Sequence, residues 1–294
     1  KKFFSYFLIL YSVIRSIIIL KKEKPDLIFG LGGYVSFPIS FASKIFNYPL
    51  VIYENNMVLG RANRYLSSLS RKILLAKNIK EDFPKKYQNK IYEVGSILDK
   101  KIINYLPKIK KNEKNFFSIL VLGGSQGPEI FGKVVPNVMK MIKDKNYDIA
   151  INQQCTANQK KYLIDFYKKN NIKNYIFEFD RDILKLVSSS DLAITRCGAS
   201  TTAELAHTFT PFIAVPLPNS IDNHQYLNAK YYENRGCCWL LEQNNFNTEK
   251  LFNIIIETME NKNKLEHVKN NMKKNYKKNV YRNIENEIKE FIQV

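Results

Sequence analysis

Cysteine is scarce in this chain: four residues in 294, at positions Cys155, Cys197, Cys237 and Cys238. The last two are adjacent and therefore awkward disulfide partners, and no Cys-x-x-Cys pair occurs. A disulfide-stapled secreted scaffold is thereby disfavoured, and a reduced cytosolic compartment fits better. Histidine is scarcer still, and His207, His224 and His267 show no metal-ligand spacing. Asp180-Arg181-Asp182 looks like a metal motif, but a three-residue match is weak and a capping role is the stronger reading. No metal and no cofactor is expected. Zinc-finger spacing and RNA-binding aromatic motifs are also missing, so nucleic acid is not an expected partner.

Long apolar runs are missing but for one. Phe3 to Leu20 is almost wholly apolar, broken by Arg15 and a few serines and flanked by Lys1-Lys2 and Lys21-Lys22. A membrane span needs about 20 apolar residues, and Arg15 would be costly at mid-bilayer. No small-residue cleavage site follows, which argues against a secretory signal. A helix lying on a membrane, with lysines at both ends near lipid phosphates, is the preferred reading. A buried helix of an ordinary α/β domain is the second reading, and a span the third. The chain starts at Lys1 rather than Met, which points to a fragment.

Acidic residues are outnumbered, 27 against 46 Lys and Arg, for a formal net charge of +19 and a pI near 9.6. Two readings stand side by side. Lys, Asn and Ile are abundant throughout, so the charge reflects composition bias; or it forms a basic surface suited to anionic lipid.

What is present is a packed globular composition, 45% hydrophobic and 25% charged, with strand and helix patterns in alternation. Strands are predicted at 26–29, 50–53, 72–76 and 90–94, with helices at 39–46 and 60–70. A Lys/Asn-rich stretch with Pro107, from 99 to 115, reads as a linker. Alternation then restarts, with strands at 116–122, 148–152, 175–178, 192–194, 212–215 and 238–241. Short connections between such units are the mark of parallel doubly wound sheets. The fold class is therefore α/β, with two Rossmann-like domains and a cleft between them. Leu251, Ile254, Ile255 and Met259 keep helical spacing in the C-terminal third.

Two strand exits carry site chemistry. The run 192–194 feeds Arg196-Cys197-Gly198-Ala199-Ser200-Thr201 and a helix start. Glycine lets backbone approach a ligand closely, and free N–H groups at a helix N-terminus favour phosphate. Glu204 falls early in that helix, where a carboxylate can accept from a ribose diol. Upstream, strand 116–122 feeds Gly123-Gly124-Ser125-Gln126-Gly127 and a helix from about Pro128, a residue suited to a first helical turn. Two such sites suggest one nucleotide gripped by two loops.

Five segments in register carry a family resemblance. They are Gly30-Leu31-Gly32-Gly33-Tyr34-Val35-Ser36; Glu54-Asn55-Asn56 with Gly60 and Asn63; Gly123 to Gly127; Arg196 to Ala199 with Glu204; and Val215-Pro216-Leu217-Pro218 with Asp222, His224, Gln225 and Asn228. Together they resemble the MurG family, peptidoglycan GlcNAc transferases of GT-B fold, over essentially the whole chain. The resemblance implies a hexosyltransferase that moves GlcNAc, with inversion, from UDP-GlcNAc to undecaprenyl-diphospho-muramoyl-pentapeptide (lipid I), giving lipid II. It implies peripheral attachment to the cytoplasmic face of the bacterial plasma membrane, on an anionic surface. It implies an acceptor-side domain over 1–107, a UDP-GlcNAc-binding domain over 108–278, and a C-terminal helix at 279–294 returning to the first domain.

Donor-side positions that the resemblance carries over are Ser125, Gln126, Ile183, Ser200, Thr201, Glu204, His224 and Gln225. Acceptor-side positions are Tyr34, Asn55, Asn56 and Asn63. Glu54 is the carboxylate nominated as the base that takes the acceptor hydroxyl's proton. Three departures stand out. The family's opening Gly-Gly-Thr-Gly-Gly-His loop, whose histidine is an equal candidate, has no counterpart, so the N-terminal domain is expected to be incomplete. A family arginine near the donor phosphates falls at Asp99, beside Lys100 and Lys101. The usual His-Glu-Gln-Asn run appears as Tyr53-Glu54-Asn55-Asn56. Two alternatives stay open: a GT-B transferase for another lipid acceptor such as a diacylglycerol, and a truncated remnant that binds UDP-sugar or membrane without turnover.

Overall fold

The computed structural model describes residues 2–105, 115–124, 129–277 and 279–292, with side chains from residue 8 onward. Along the chain run α1 (Lys2–Glu23), β1 (Ile28–Gly30), α2 (Gly33–Ala42), β2 (Leu50–Glu54), α3 (Arg61–Leu66), β3 (Lys72–Leu75) and β4 (Ile91–Glu93). Then come α4 (Lys100–Ile103), β5 (Phe117–Leu122), α5 (Glu129–Asp144), β6 (Ile149–Gln154), α6 (Ala157–Lys169), β7 (Lys173–Phe177), α7 (Ile183–Ser189) and β8 (Leu192–Thr195). The run closes with α8 (Ala199–His207), β9 (Phe212–Ala214), α9 (His224–Glu233), β10 (Cys238–Leu240), α10 (Thr248–Glu260), α11 (Lys262–Lys274) and α12 (Val280–Ile288).

The chain forms two units, one of residues 1–97 and 277–294, the other of 98–276. The first holds a parallel sheet in the order β1-β2-β3-β4. Side chains alternate across a strand, and β2 is buried throughout. Its Leu50 and Ile52 join Leu20 of α1 and Ala42 of α2 on one face. Its Val51 and Tyr53 join Ile284 of α12 on the other. The C-terminal helix thus covers a face that the preceding chain leaves bare. Lys72 fastens it, with Nζ 3.0 Å from Glu287 Oε2 and 3.1 Å from Glu290 Oε1.

α1 packs through Val13, Ile17 and Leu20, an i, i+4, i+7 stripe. Its opposite face, including Leu8, Tyr11, Ile14 and Ile18, is exposed. Among the described residues no helix is long and apolar enough to cross a membrane. α2 begins six residues earlier than the sequence suggests. The helix runs through Pro38 from Gly33 instead of beginning after it. The missing N–H removes one helical bond, and the helix keeps going.

The second unit's sheet is parallel in the order β10-β9-β8-β5-β6-β7. Counted from β5, this is the 3-2-1-4-5-6 order of a dinucleotide-type sheet read from its far edge. Ile119 and Val121 pack with α5, α6 and α10, while Leu120 and Leu122 pack toward α8, α9 and α11. Both faces are covered, which is why the strands read as continuous apolar runs. α4 belongs to this unit because Leu98 and Ile102 pack on Ala203 of α8. The stretch read as a linker therefore opens with a turn of helix.

Candidate active site

Both glycine-bearing turns singled out in the sequence leave the sheet at one place. The strand order reverses between β5 and β8, and there Leu122 lies beside Thr195. In an open parallel sheet, ligands bind in the crevice outside the carboxyl ends of the strands at such a switch point. Gly123-Gly124 leave β5 and Arg196-Cys197-Gly198 leave β8 side by side. Gly124 has φ +71°, a conformation that penalises residues bearing a Cβ. Ser125 and Gln126 lie outside the described residues.

The turn after β8 is held from beneath by side chains. Arg196 N donates to Leu122 O at 3.1 Å, and Asn228 Nδ2, fully buried, donates to Cys197 O at 3.1 Å. Gln225 Oε1 accepts from Cys197 N at 3.1 Å and from Leu217 N at 2.9 Å. The Arg196 guanidinium turns inward. Its Nη1 donates to Val215 O and Pro216 O, both at 3.1 Å, its Nη2 donates to Gln243 Oε1, and it lies 5.1 Å from the Phe131 ring centre. Arg196 and Gln225 thus fix Val215-Pro216-Leu217 from two sides.

What the turn leaves open is the start of α8. Gly198 precedes it with no side-chain cap. The first N–H groups of a helix have no intrahelical acceptor, and the helix dipole favours an anion there. Ser200 is exposed and Thr201 half-buried on this first turn, and Glu204 is half-buried one turn on. Burial raises the Glu204 carboxyl above its ordinary value, and the charge of Asp99 adds to the shift. Asp99 itself caps α4, accepting from Lys101 N at 2.7 Å. That local duty accounts for a carboxylate where the resemblance leads one to look for arginine. Lys100 and Lys101 are exposed beside it.

α9 brings up two more groups. Asp222 and Asn223, with φ of 51° and 54°, form a left-handed turn that starts the helix at His224. His224 Nδ1 lies 2.7 Å from Ile221 O. A carbonyl only accepts, so Nδ1 carries the hydrogen, and in that tautomer Nε2 is the acceptor. The oxygen of Gln225 is engaged by two amides, which leaves its NH2 as the group to offer. Ile183 opens α7, half-buried against the core. Asp180 Oδ1 accepts from Asp182 N at 2.6 Å and Oδ2 from Tyr175 OH at 2.9 Å. The metal-motif look-alike is therefore a local side-chain turn. Among the described residues no group of three His, Cys, Asp or Glu could hold a metal.

Sequence reasoning missed Gln154. Its Oε1 accepts from Gly123 N and its Nε2 donates to Glu178 O, both at 3.1 Å, tying the exits of β5 and β7 together. A polar residue ending the strand that starts Ile149-Ala150-Ile151 was the available signal.

In the first unit, the carboxyl ends of β2, β3 and β4 meet in one polar network, and the turn after β1 packs against it. Glu54, last in β2 and buried, accepts at Oε1 from Asn56 N (3.0 Å) and Asn56 Nδ2 (3.2 Å). Its Oε2 accepts from Gly60 N and Asn63 Nδ2, both at 2.9 Å. Asn63 Nδ2 also donates to Tyr53 O at 2.9 Å. Gly32, with φ +81°, lies so close that a Cβ there would sit 3.1 Å from Asn63 Nδ2. Tyr53 OH accepts from Ile97 N at 2.9 Å. Its hydrogen is shared between Gly95 O (3.1 Å) and Asn55 Oδ1 (3.2 Å). Burial pushes this phenol well above its usual range. Lys77 Nζ reaches Asn55 O at 3.4 Å. Burial lowers the Lys77 ammonium to about 8, with the Glu54 charge pulling the other way. Tyr34 stands 77% exposed at the start of α2, Asn55 and Asn56 are half-buried, and Asn63 is buried.

Residues 118–286 match the glycosyltransferase family 28 C-terminal domain, and residues 1–75 the family 28 N-terminal domain. Over 268 residues the chain is 36% identical to a Pelagibacter ubique protein, covering 91% of this chain and 74% of that one. That protein is named UDP-N-acetylglucosamine--N-acetylmuramyl-(pentapeptide) pyrophosphoryl-undecaprenol N-acetylglucosamine transferase. A Rickettsia canadensis protein of the same name is 35% identical over 264 residues, covering 89% and 74%. The crystal structure of Acinetobacter baumannii MurG is similar with a TM-score of 0.80 and 25% identity, over 97% of this chain and 80% of that chain.

Proposed function

The chain belongs to glycosyltransferase family 28, and from that premise we propose that it transfers GlcNAc from UDP-GlcNAc to undecaprenyl-diphospho-muramoyl-pentapeptide, forming lipid II for peptidoglycan synthesis. Its two parallel-sheet α/β units are those of the GT-B fold. The observation that carries the reading is the pair of glycine turns side by side at the switch point of the six-stranded sheet.

In the proposed reaction the acceptor hydroxyl oxygen attacks the anomeric carbon as the bond from that carbon to the UDP oxygen breaks. Negative charge grows on the departing diphosphate. The open N–H groups of α8, with Ser200 and Thr201 beside them, are placed to receive it, as preorganised donors do in an oxyanion site. Glu204, one turn along, accepts from the ribose hydroxyls, and Ile183 lies by the uracil. The sugar is read by two groups of opposite sense: Gln225 donates through its NH2, and His224 accepts at Nε2. Ser125 and Gln126 complete the donor side. Tyr34, Asn55 and Asn56 face the acceptor.

The lipid acceptor requires a membrane surface, and α1 supplies a means of reaching one. Its outward face is apolar, with Arg15, Lys21 and Lys22 exposed on the same helix. An apolar face that enters the headgroup boundary, with cations at the lipid phosphates, is how interfacial helices bind. Peripheral attachment to the cytoplasmic leaflet is the corresponding location.

Labelled UDP-GlcNAc is offered with lipid I or with diacylglycerol. Transfer to lipid I is expected, and transfer to diacylglycerol instead would refute the acceptor assignment. Flotation with anionic vesicles tests the surface: binding falls as salt rises, and binding indifferent to both salt and lipid charge would remove the basic helix as the anchor.

A further inference from the structure

Resting on the transferase reading, we propose that Glu54 is a positioning residue, an anion that locks the 55–60 loop and the start of α3 for the acceptor, and that another group takes the acceptor proton. A carboxylate offers about four lone-pair sites. Here four donors occupy them at 2.9–3.2 Å: the amides of Asn56 and Gly60 and the side-chain NH2 groups of Asn56 and Asn63. A general base must come within hydrogen-bond reach of the proton that it removes. Glu54 would first have to release one of these donors into a buried environment.

The surroundings are built around the carboxylate. Gly60 has φ −61° and ψ 150°, a backbone that any residue adopts, so its glycine answers to space. A Cβ at Gly60 would meet Glu54 Oε2 at 3.2 Å, closer than ordinary contact. Asn63 cannot be turned over, because its NH2 faces two acceptors, Tyr53 O and Glu54 Oε2. Lys77, nearby and buried, supplies charge of the opposite sign and holds Asn55 by its carbonyl. Apart from Asn63 Oδ1, which is buried without a hydrogen-bond partner, the polar groups in this set fix a strand end or the loop. Asn55 and Asn56, the loop residues proposed to meet substrate, are themselves held by these contacts.

Two variants decide the matter in the full chain. Glu54→Gln places an NH2 against donors. The expected result is at least tenfold faster hydrogen exchange at the Asn56 and Gly60 amides. The acceptor KM rises at least tenfold, the UDP-GlcNAc KM is unchanged, and the kcat–pH profile keeps its shape. A merely structural defect would lower the response to both substrates together. Unchanged amide exchange, with kcat down a hundredfold, acceptor KM unchanged and one limb of the pH profile lost, would make Glu54 the base and overturn the proposal. Gly60→Ala covers the case in which Glu54→Gln does not fold. It keeps the backbone and only crowds Oε2, so a severalfold rise in acceptor KM with faster Asn56 exchange is expected, and no change in either refutes the lock. Should the wild-type protein transfer nothing to the lipid acceptor, the functional reading fails. The exchange rates still judge the lock by themselves.

Discussion

Replacing Gln225 separates two jobs that one side chain performs. Its oxygen holds Cys197 N and Leu217 N, and its NH2 is proposed to meet the donor sugar. Gln225→Ala removes the acceptor for both amides. The Cys197 amide lies in a buried turn, where an orphaned N–H costs about 1–3 kcal/mol. Leu217 is at the surface, and its amide turns to water at a cost of about 0.5–1 kcal/mol. The total is about 1.5–4 kcal/mol for the 98–276 unit, which at about 2–4 °C per kcal/mol is a melting shift of roughly 3–16 °C. Gln225→Glu is the partner experiment. A carboxylate keeps both amides satisfied but can no longer donate to the sugar. Its melting temperature should stay near wild type while UDP-GlcNAc affinity by calorimetry falls at least tenfold, about 1.4 kcal/mol. An alanine variant as stable as wild type refutes the loop-holding role. A glutamate variant with undiminished donor affinity refutes the sugar contact.

Two further outcomes follow from the same site. Glu204 is raised by burial first and by Asp99 second, so the folded protein takes up this proton at higher pH than the unfolded chain. The charged carboxylate therefore costs stability at neutral pH, and the cost fades as pH falls through the raised value. Donor binding, proposed to use the charged form, should be lost over that same fall; Asp99→Asn should move the loss to lower pH, and an unmoved midpoint refutes the coupling. Arg196→Lys replaces a planar fork by a single nitrogen, which cannot stand in for both Nη1, on Val215 O and Pro216 O, and Nη2, on Gln243, so at least one of these acceptors loses its donor. A destabilisation of about 1–3 kcal/mol in urea titration is expected, and none would mean that the guanidinium does not hold the loop.

Much of this was legible in the sequence, for a physical reason. Strands buried on both faces leave unbroken apolar runs, so Phe117–Leu122 and Leu192–Thr195 announce themselves, and the glycines that follow mark where the backbone turns toward a ligand. Side-chain direction leaves no such trace. Arg196 in a glycine turn carries no sign that its guanidinium folds back onto carbonyls at the exit of the neighbouring strand. Glu54 reads as a free carboxylate until its four donors are seen, since two of them come from positions six and nine residues on. Asp99 was weighed against a distant motif when the local pattern, an acid before a helical turn, explains it. The start of α2 is expected at residue 39, six residues late, because the helix continues through Pro38 at the loss of one backbone bond.

The return of α12 to the first sheet bears on how the chain comes to be folded during its synthesis. The strands of the first unit leave the ribosome early, yet the Val51 and Tyr53 side of their sheet stays wet until Val280 to Phe291 emerge. The intervening 98–276 segment is continuous and can mature before then. The earliest-made half is thus the last to finish, and until then its apolar flank is open to chaperones or to a neighbouring nascent chain.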